Sequence, residues 1–223
     1  DYDRARSEGR SVGLAIGMKN SGLGNGFREV CGAVVHFRDD GRIEVRHGWT
    51  EMGQGVHTVA LQVAAQELNV DAERIDVIVD TTRELGFGQT TGSRGTLMTA
   101  GSVAAACQAA LAANCEVGVD HHGEYVVDWT HHLGDPEHPS PTIHSCFSYA
   151  AQLVEIDHAS GAIDRVLAVH DVGKAVNPTL VEGQIEGSVH MGLGYALTED
   201  FPSDERGMPA VETLRQLGIL RAK

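Results

Sequence analysis

Three times the chain runs from a glycine- or proline-marked loop straight into a helix-like pattern, and these junctions carry the residues best suited to chemistry. They are Thr50-Glu51-Met52-Gly53-Gln54-Gly55, Thr90-Thr91-Gly92-Ser93-Arg94-Gly95, and Asn177-Pro178. At such a junction the first helical amides lack intrahelical partners, and the positive end of the helix dipole faces outward. Glycine lets a ligand approach the backbone closely, while Gln, Thr and Ser add neutral hydrogen-bonding groups. If the three junctions converge, they form a cradle for a large polyanionic group. Taken singly, each is also an ordinary connection, because glycine is common at element boundaries. None of the three is a G-x-G-x-x-G or a P-loop.

Other reactive residue types point less far. His121, His122, His131, His132, His138 and His144 crowd residues 116–144. Imidazoles bind zinc, copper or nickel, but these spacings match no standard ligand motif, and a stretch with proline and acidic residues reads as a solvated loop. Cys31, Cys107, Cys115 and Cys146 contain no C-x-x-C pair and no iron–sulfur or zinc spacing. They are expected to be buried free thiols in a reducing compartment. His57 and His190 read as satisfied packing histidines, and Arg94 as a possible phosphate contact.

The formal net charge of -14 disfavours nucleic acid as a partner. It does not forbid a small anion at a helix N-terminus. Residues 1–10 are too charged for a signal peptide. The longest weakly polar run, 98–115, contains Ser102, Gln108 and Asn114 and reads as a packed helix, not a membrane span. A cytoplasmic protein without membrane or nucleic-acid partners is the expectation.

The elements that must position these residues follow from pattern. A strand is expected at 11–18 and a glycine-studded loop at 19–27. Residues 30–37 and 42–47 flank Asp39-Asp40-Gly41 as a hairpin, with Ile43 and Val45 alternating with charges. Val56, Val59, Ala60, Val63, Ala64 and Leu68 fall at helical spacing over 56–68. A short buried strand at 75–79, a loop at 86–95 and a small-residue helix at 96–113 follow. Residues 116–144 read as an irregular excursion with one strand at 125–129. A second hairpin pairs 147–156 with 163–172, and Pro178 opens a helix through 196. Residues 214–223 read as the start of a further element, whose apolar residues favour homo-oligomerisation. The fold class is α+β: two mixed α/β lobes, at about 11–115 and 145–223, on either side of the excursion.

The strings at these junctions resemble a known family. Residues 48–58, GWTEMGQGVHT, are similar to the cofactor-contact segment of molybdenum hydroxylases of the xanthine dehydrogenase and aldehyde oxidase family. TTGSRG at 90–95 resembles the family's loop beneath the metal. Asp171-Val172-Gly173, Asn177-Pro178 and Gly183-Gln184-Ile185-Glu186-Gly187 resemble a further hallmark in the right order. The resemblance runs from about Val12 to Phe201 and implies part of a molybdopterin-binding domain.

That resemblance implies residue roles. The glutamine matching Gln54 lies beside the metal, where an amide can stabilise developing negative charge. Thr90, Thr91, Gly92, Ser93 and Gly95 match the loop under metal and pterin, and Gln184 matches a pterin contact. A cytosine dinucleotide form of the cofactor is implied, its phosphates suiting helix N-termini. The family hydroxylates an electron-poor carbon of a purine, other N-heterocycle or aldehyde, using water activated at the metal and a glutamate base. No aromatic residue lies between Ser11 and Gly26, near Lys19 and Asn20, where purine-acting members tend to carry one. Electrons leave through iron–sulfur clusters and flavin, which would sit on other domains or partner subunits. In family order an F-G-G-K-type segment precedes Asp1, and the base glutamate's G-x-G-E segment follows Lys223. The chain alone is therefore expected not to turn over, with no catalytic residue assigned within it; the alternatives are a non-catalytic cofactor-binding or assembly module and a metal-binding protein built on the histidine loop. Glu51 and Glu186 do not match the base and are expected to cap helix starts.

Overall fold

In the computed structural model, which describes residues 2–85 and 90–221, the hairpin around Asp39-Asp40-Gly41 forms as its turn chemistry dictates. β2 (Glu29–Phe37) and β3 (Ile43–His47) run antiparallel, with Phe37 opposite Ile43 and Ala33 opposite His47. Gly41 takes a φ of 82°, in the left-handed region that glycine enters without steric cost. Strand alternation puts Ala33, Val35, Ile43 and Val45 on one face. α2 (Val56–Leu68) and α3 (Gly95–Ala112) cover that face with Ala60, Ala64 and Leu68 from one helix and Val103, Ala106, Cys107 and Ala110 from the other.

β4 (Ile75–Val79) pairs in parallel with β3, as a strand reached through a crossover helix must be able to do. β5 (Asp120–Val127) closes the other edge against β2, from Glu29 opposite Val127 to His36 opposite Asp120. The sheet order is β4-β3-β2-β5. β5 starts earlier than the strand expected at 125–129. Asp-His-His-Gly carries little strand propensity, and pairing with β2 overrides it.

Small residues let α3 approach the sheet. A Cβ on Gly101 would fall within the Tyr125 ring, and one on Gly123 would overlap the backbone of Ala105 and Ala106. By length and composition α3 could cross a membrane. Here Met98, Val103, Ala106, Cys107 and Ala110 on it are fully buried against the sheet and α2.

β1 (Ser11–Ser21), β6 (Cys146–Ile156) and β7 (Ile163–Asp171) form a second sheet in the order β1-β6-β7. β1 runs on through Lys19 and Asn20, which the sequence suggested as loop. The β6–β7 turn is organised by Asp157, whose carboxylate accepts the amides of Ala159 and Ser160. α4 (Pro178–Leu197) begins at Asn177, whose side chain accepts the Leu180 amide at 3.0 Å, with Pro178 in the first turn. A short charged helix, α1 (Tyr2–Ser7), was not expected from its sequence, and Leu214–Leu217 is a single 3-10 turn. Residues 86–89 of the expected 86–95 loop, and 222–223 of the final segment, lie outside the described residues.

The chain divides into two compact units: Asp1–Ala15 with Ala151–Val169 and Asn177–Lys223, and Ile16–Ala150 with His170–Val176. The second contains the four-stranded sheet, α2 and α3, and therefore the first two of the three junctions.

Candidate cofactor site

The two glycine loops of that unit come together because the helices they start lie side by side. Val56, at the start of α2, and Met98, in the first turn of α3, share one buried cluster with Trp49, Cys31 and Val127. Gly53 and Gly95 face open space: a Cβ on either would meet nothing within 4 Å. At Gly53 the φ of 99° still restricts the position to glycine.

The loop before α2 is shaped by its own side chains. Glu51 accepts the amides of Gly53 at 2.8 Å, Gly55 at 2.9 Å and His57 at 3.3 Å. Burial works to raise its carboxyl, but the amides of Gly55, His57 and Gly53 outweigh this and hold it below the ordinary value. Glu51 is thus the cap the sequence suggested, and it supplies the negative charge that the α2 dipole favours. Of the first-turn amides of α2, the one on His57 is therefore taken from within, a change from the three-junction cradle read from sequence. Glu186 is no cap: it lies exposed in the body of α4.

Gln54 folds back onto the same loop. Its Oε1 accepts the Met52 amide at 2.6 Å, and its Nε2 donates to the Thr50 carbonyl at 2.8 Å. A primary amide has two N–H groups, so one of them is left for a ligand.

The loop before α3 has the opposite character. The N-cap residue Arg94 makes no side-chain cap, and among the described residues no acidic side chain lies in the first turn of α3. Gly92 and Ser93 take φ values of 68° and 51°. Their carbonyls are pinned from the end of β1 and the residue after it: Ser21 Oγ donates to Ser93 O at 3.3 Å, and the Gly22 amide to Gly92 O at 2.8 Å. With the carbonyls committed, the side chains of Thr91 and Ser93 stay exposed, and Thr90 and Gly95 are half-buried. The group presented is neutral, made of hydroxyls, amides and one carboxamide. Such donors suit a phosphate-bearing pterin without requiring the surface to be basic.

Beneath the loops lie residues whose part the sequence did not reveal. Arg94 does not reach outward to a phosphate. Its guanidinium is buried, donates to Glu29 Oε2 at 2.8 Å and lies 5.3 Å over the Trp49 ring. Glu29 Oε1 accepts the Leu23 amide at 2.9 Å. Trp49 Nε1 donates to Cys31 Sγ at 2.8 Å, and Cys31 Sγ lies 3.3 Å from Ser102 Oγ on α3. Burial pushes the Cys31 thiol up, against the lowering influence of Ser102, Trp49 and Arg94.

His47 is also fully buried. Its Nδ1 accepts the Trp49 amide at 3.1 Å, and its ring meets His57 edge-on at 5.2 Å. Burial, with the neighbouring His57, pulls its pKa down to about 4. The Nε2 atoms of His47, His57 and His190 are buried without a hydrogen-bond partner among the described residues, where His57 and His190 were expected to be satisfied.

Gln184 belongs to the other unit. It is exposed on α4, where its carbonyl accepts Ser188 Oγ at 2.8 Å. The histidine-rich stretch offers no metal centre: among the described residues no three His, Cys, Asp or Glu groups are placed to hold an ion. His121 and His122 belong to β5, and His131 and His138 stack at 3.7 Å. Not all the thiols are buried as expected, since Cys146 is exposed and Cys115 half-buried.

Loops of this composition, on this fold, have counterparts among known proteins. A family model described as the molybdopterin cofactor-binding domain matches residues 1–118 and 109–223, and the chain belongs to this family, the cofactor-binding part of xanthine dehydrogenase and aldehyde oxidase-type hydroxylases. It is 28% identical to the large chain of a nicotine hydroxylase of Paenarthrobacter nicotinovorans, over 92% of this chain and 31% of that protein. With xanthine dehydrogenase of Oryza sativa it shares 31% identity over 78% of this chain and 14% of that protein. The fold matches an aldehyde oxidoreductase from Desulfovibrio desulfuricans with a TM-score of 0.79 at 23% identity, covering 98% of this chain and 27% of the other. The chain thus spans less than a third of the length of these relatives.

Proposed function

We propose that this chain holds molybdopterin through Gln54, Thr90, Thr91, Gly92, Ser93 and Gly95, with Gln184 as a pterin contact, within a hydroxylase acting on a purine, other N-heterocycle or aldehyde. The observation that carries this is the pairing of the two loops. One is capped internally by Glu51 and presents the Gln54 amide. The other starts α3 without a cap from its N-cap residue Arg94 and presents the exposed hydroxyls of Thr91 and Ser93. The second N–H of Gln54 Nε2 would be available to hold an oxygen of the bound group, and the first amides of α3 would suit its phosphate. When bound, the cofactor supplies a metal that activates water and accepts electrons from the substrate carbon.

The form proposed is the cytosine dinucleotide, whose added phosphate needs a further uncapped set of amides. Electrons would leave to iron–sulfur and FAD groups on partner subunits or other domains, and the remaining segments of the molybdenum subunit would complete the active site. Self-association and a cytoplasmic location are also proposed; the four cysteines, all unpaired, support a reducing compartment.

The test is cofactor content. The polypeptide bearing this chain is purified from cells that make the cofactor, and molybdenum, pterin and acid-released cytosine nucleotide are measured. Near-stoichiometric molybdenum and pterin are expected, with loss in Gly95→Val and reduction in Ser93→Ala. Wild-type protein without molybdenum or pterin would overturn the proposal.

A further inference from the structure

The two candidate cofactor loops are far apart in sequence and meet through one guanidinium. Arg94 sits at the start of α3, and Trp49 leads into the loop of Glu51 and Gln54. The planar group of Arg94 uses its face and its edge at once: the face covers the Trp49 indole at 5.3 Å, and the edge pairs with Glu29 at 2.8 Å. Glu29 in turn holds the Leu23 amide, next to the Gly22 amide that pins Gly92. From Trp49 a second line runs through Cys31 to Ser102 on α3. Arg94 and Trp49 are each 3% exposed, and Cys31 and Ser102 are fully buried.

A buried ion pair is a poor choice if stability alone is at stake, since apolar residues of like volume often serve as well or better. The position is also adverse for a cation, because it lies at the positive end of the α3 dipole. Glu29 offsets that charge. What an apolar pair could not do is bind the loops to each other by direction as well as by contact. Lysine could keep the charge, but it has no planar face to lay on the indole.

We infer that Arg94 is a positioning residue that ties the loops 50–55 and 90–95 into one unit, so that ordering either loop orders the other before a ligand spans both. The benefit to cofactor binding rests on the function proposed above, but the coupling itself is a property of the cofactor-free protein.

Hydrogen exchange read by mass spectrometry, on the full polypeptide made without pterin synthesis, tests it. Three peptides are followed: 48–56, 90–97, and 33–46 in the β2–β3 hairpin as a control for folding. Arg94→Lys should raise exchange about 3- to 30-fold in both loop peptides, the range expected from losing a desolvated cation–π contact, with the hairpin unchanged. Trp49→Phe should do the same at 90–97, though that peptide does not contain the substituted residue. A purely local role would raise only 90–97 in Arg94→Lys and leave it unmoved in Trp49→Phe; either result overturns the inference. If Arg94→Lys also loosens the hairpin, Trp49→Phe decides alone. Failure of the cofactor reading registers separately, as wild-type protein without molybdenum or pterin.

Discussion

Removing the Glu51 carboxylate should loosen the loop that presents Gln54, with a pH dependence that identifies the cause. Glu51 accepts the amides of Gly53, Gly55 and His57 at the start of α2. Losing a helix N-cap costs about 0.5–2 kcal/mol, and losing a negative charge at that end of the dipole costs about 0.3–1 kcal/mol more. Glu51→Ala should therefore destabilise its unit by about 2 kcal/mol. Glu51→Gln should cost about half as much, because its carbonyl can accept the same amides through bonds about half as strong as charge-assisted ones. In a chain of this size, about 2–4 °C is lost per kcal/mol, so the midpoints should fall by about 4–8 °C and 2–4 °C.

The sign with pH follows from the lowered Glu51 carboxyl. A depressed folded-state value means that the stabilisation is complete above the ordinary 4.5 and is lost as pH falls through the folded value. Urea unfolding of wild type and Glu51→Gln, from about pH 7 to about pH 3, measures the difference between them directly. The difference should be full near neutrality and shrink progressively as pH falls below about 4.5. A penalty that stays constant to the acid end would mean that shape, not charge, matters at this position. No penalty near neutrality would refute the cap altogether.

Three further outcomes follow from the same unit. Gly123→Ala should destabilise by about 1–3 kcal/mol or more, because its Cβ would overlap the α3 backbone at Ala105 and Ala106; a thermal midpoint equal to wild type would contradict that packing. The His47 imidazole should stay neutral in NMR titrations down to about 4, and its linkage should lower stability as pH falls below the ordinary 6.5; a ring that titrates near 6.5 would show that it is not buried as described. Burial, with Glu67 and Cys115 nearby, pushes the Cys107 thiol up to about 12, so an alkylating reagent should label exposed Cys146 at least about 100-fold faster in the native protein; comparable rates would argue against that burial.

Much of the frame was legible because it is local. Asp39-Asp40-Gly41 demanded a turn, and the α2 helix ran over the residues its apolar spacing marked, 56–68. Pro178 after Asn177 announced the start of α4. The capping role of Glu51 was also legible, since the carboxylate and the amides it serves lie within six residues. β5 was only half legible, because its first residues are strand by virtue of β2 alongside them, not by their own preference.

By itself, then, the sequence determined the loop-to-helix junctions, the neutral donors on them and the strings that mark the molybdopterin family. Tertiary structure alone decided how the second junction is held: the Gly22 amide and Ser21 Oγ, about 70 positions away, pin the carbonyls of Gly92 and Ser93. It also decided that Arg94 turns inward to Glu29, 65 positions away, and to Trp49. The physical reason is range. Turn geometry and helix periodicity are set by neighbouring residues, whereas a buried charge finds its partner only once folding has removed both from water.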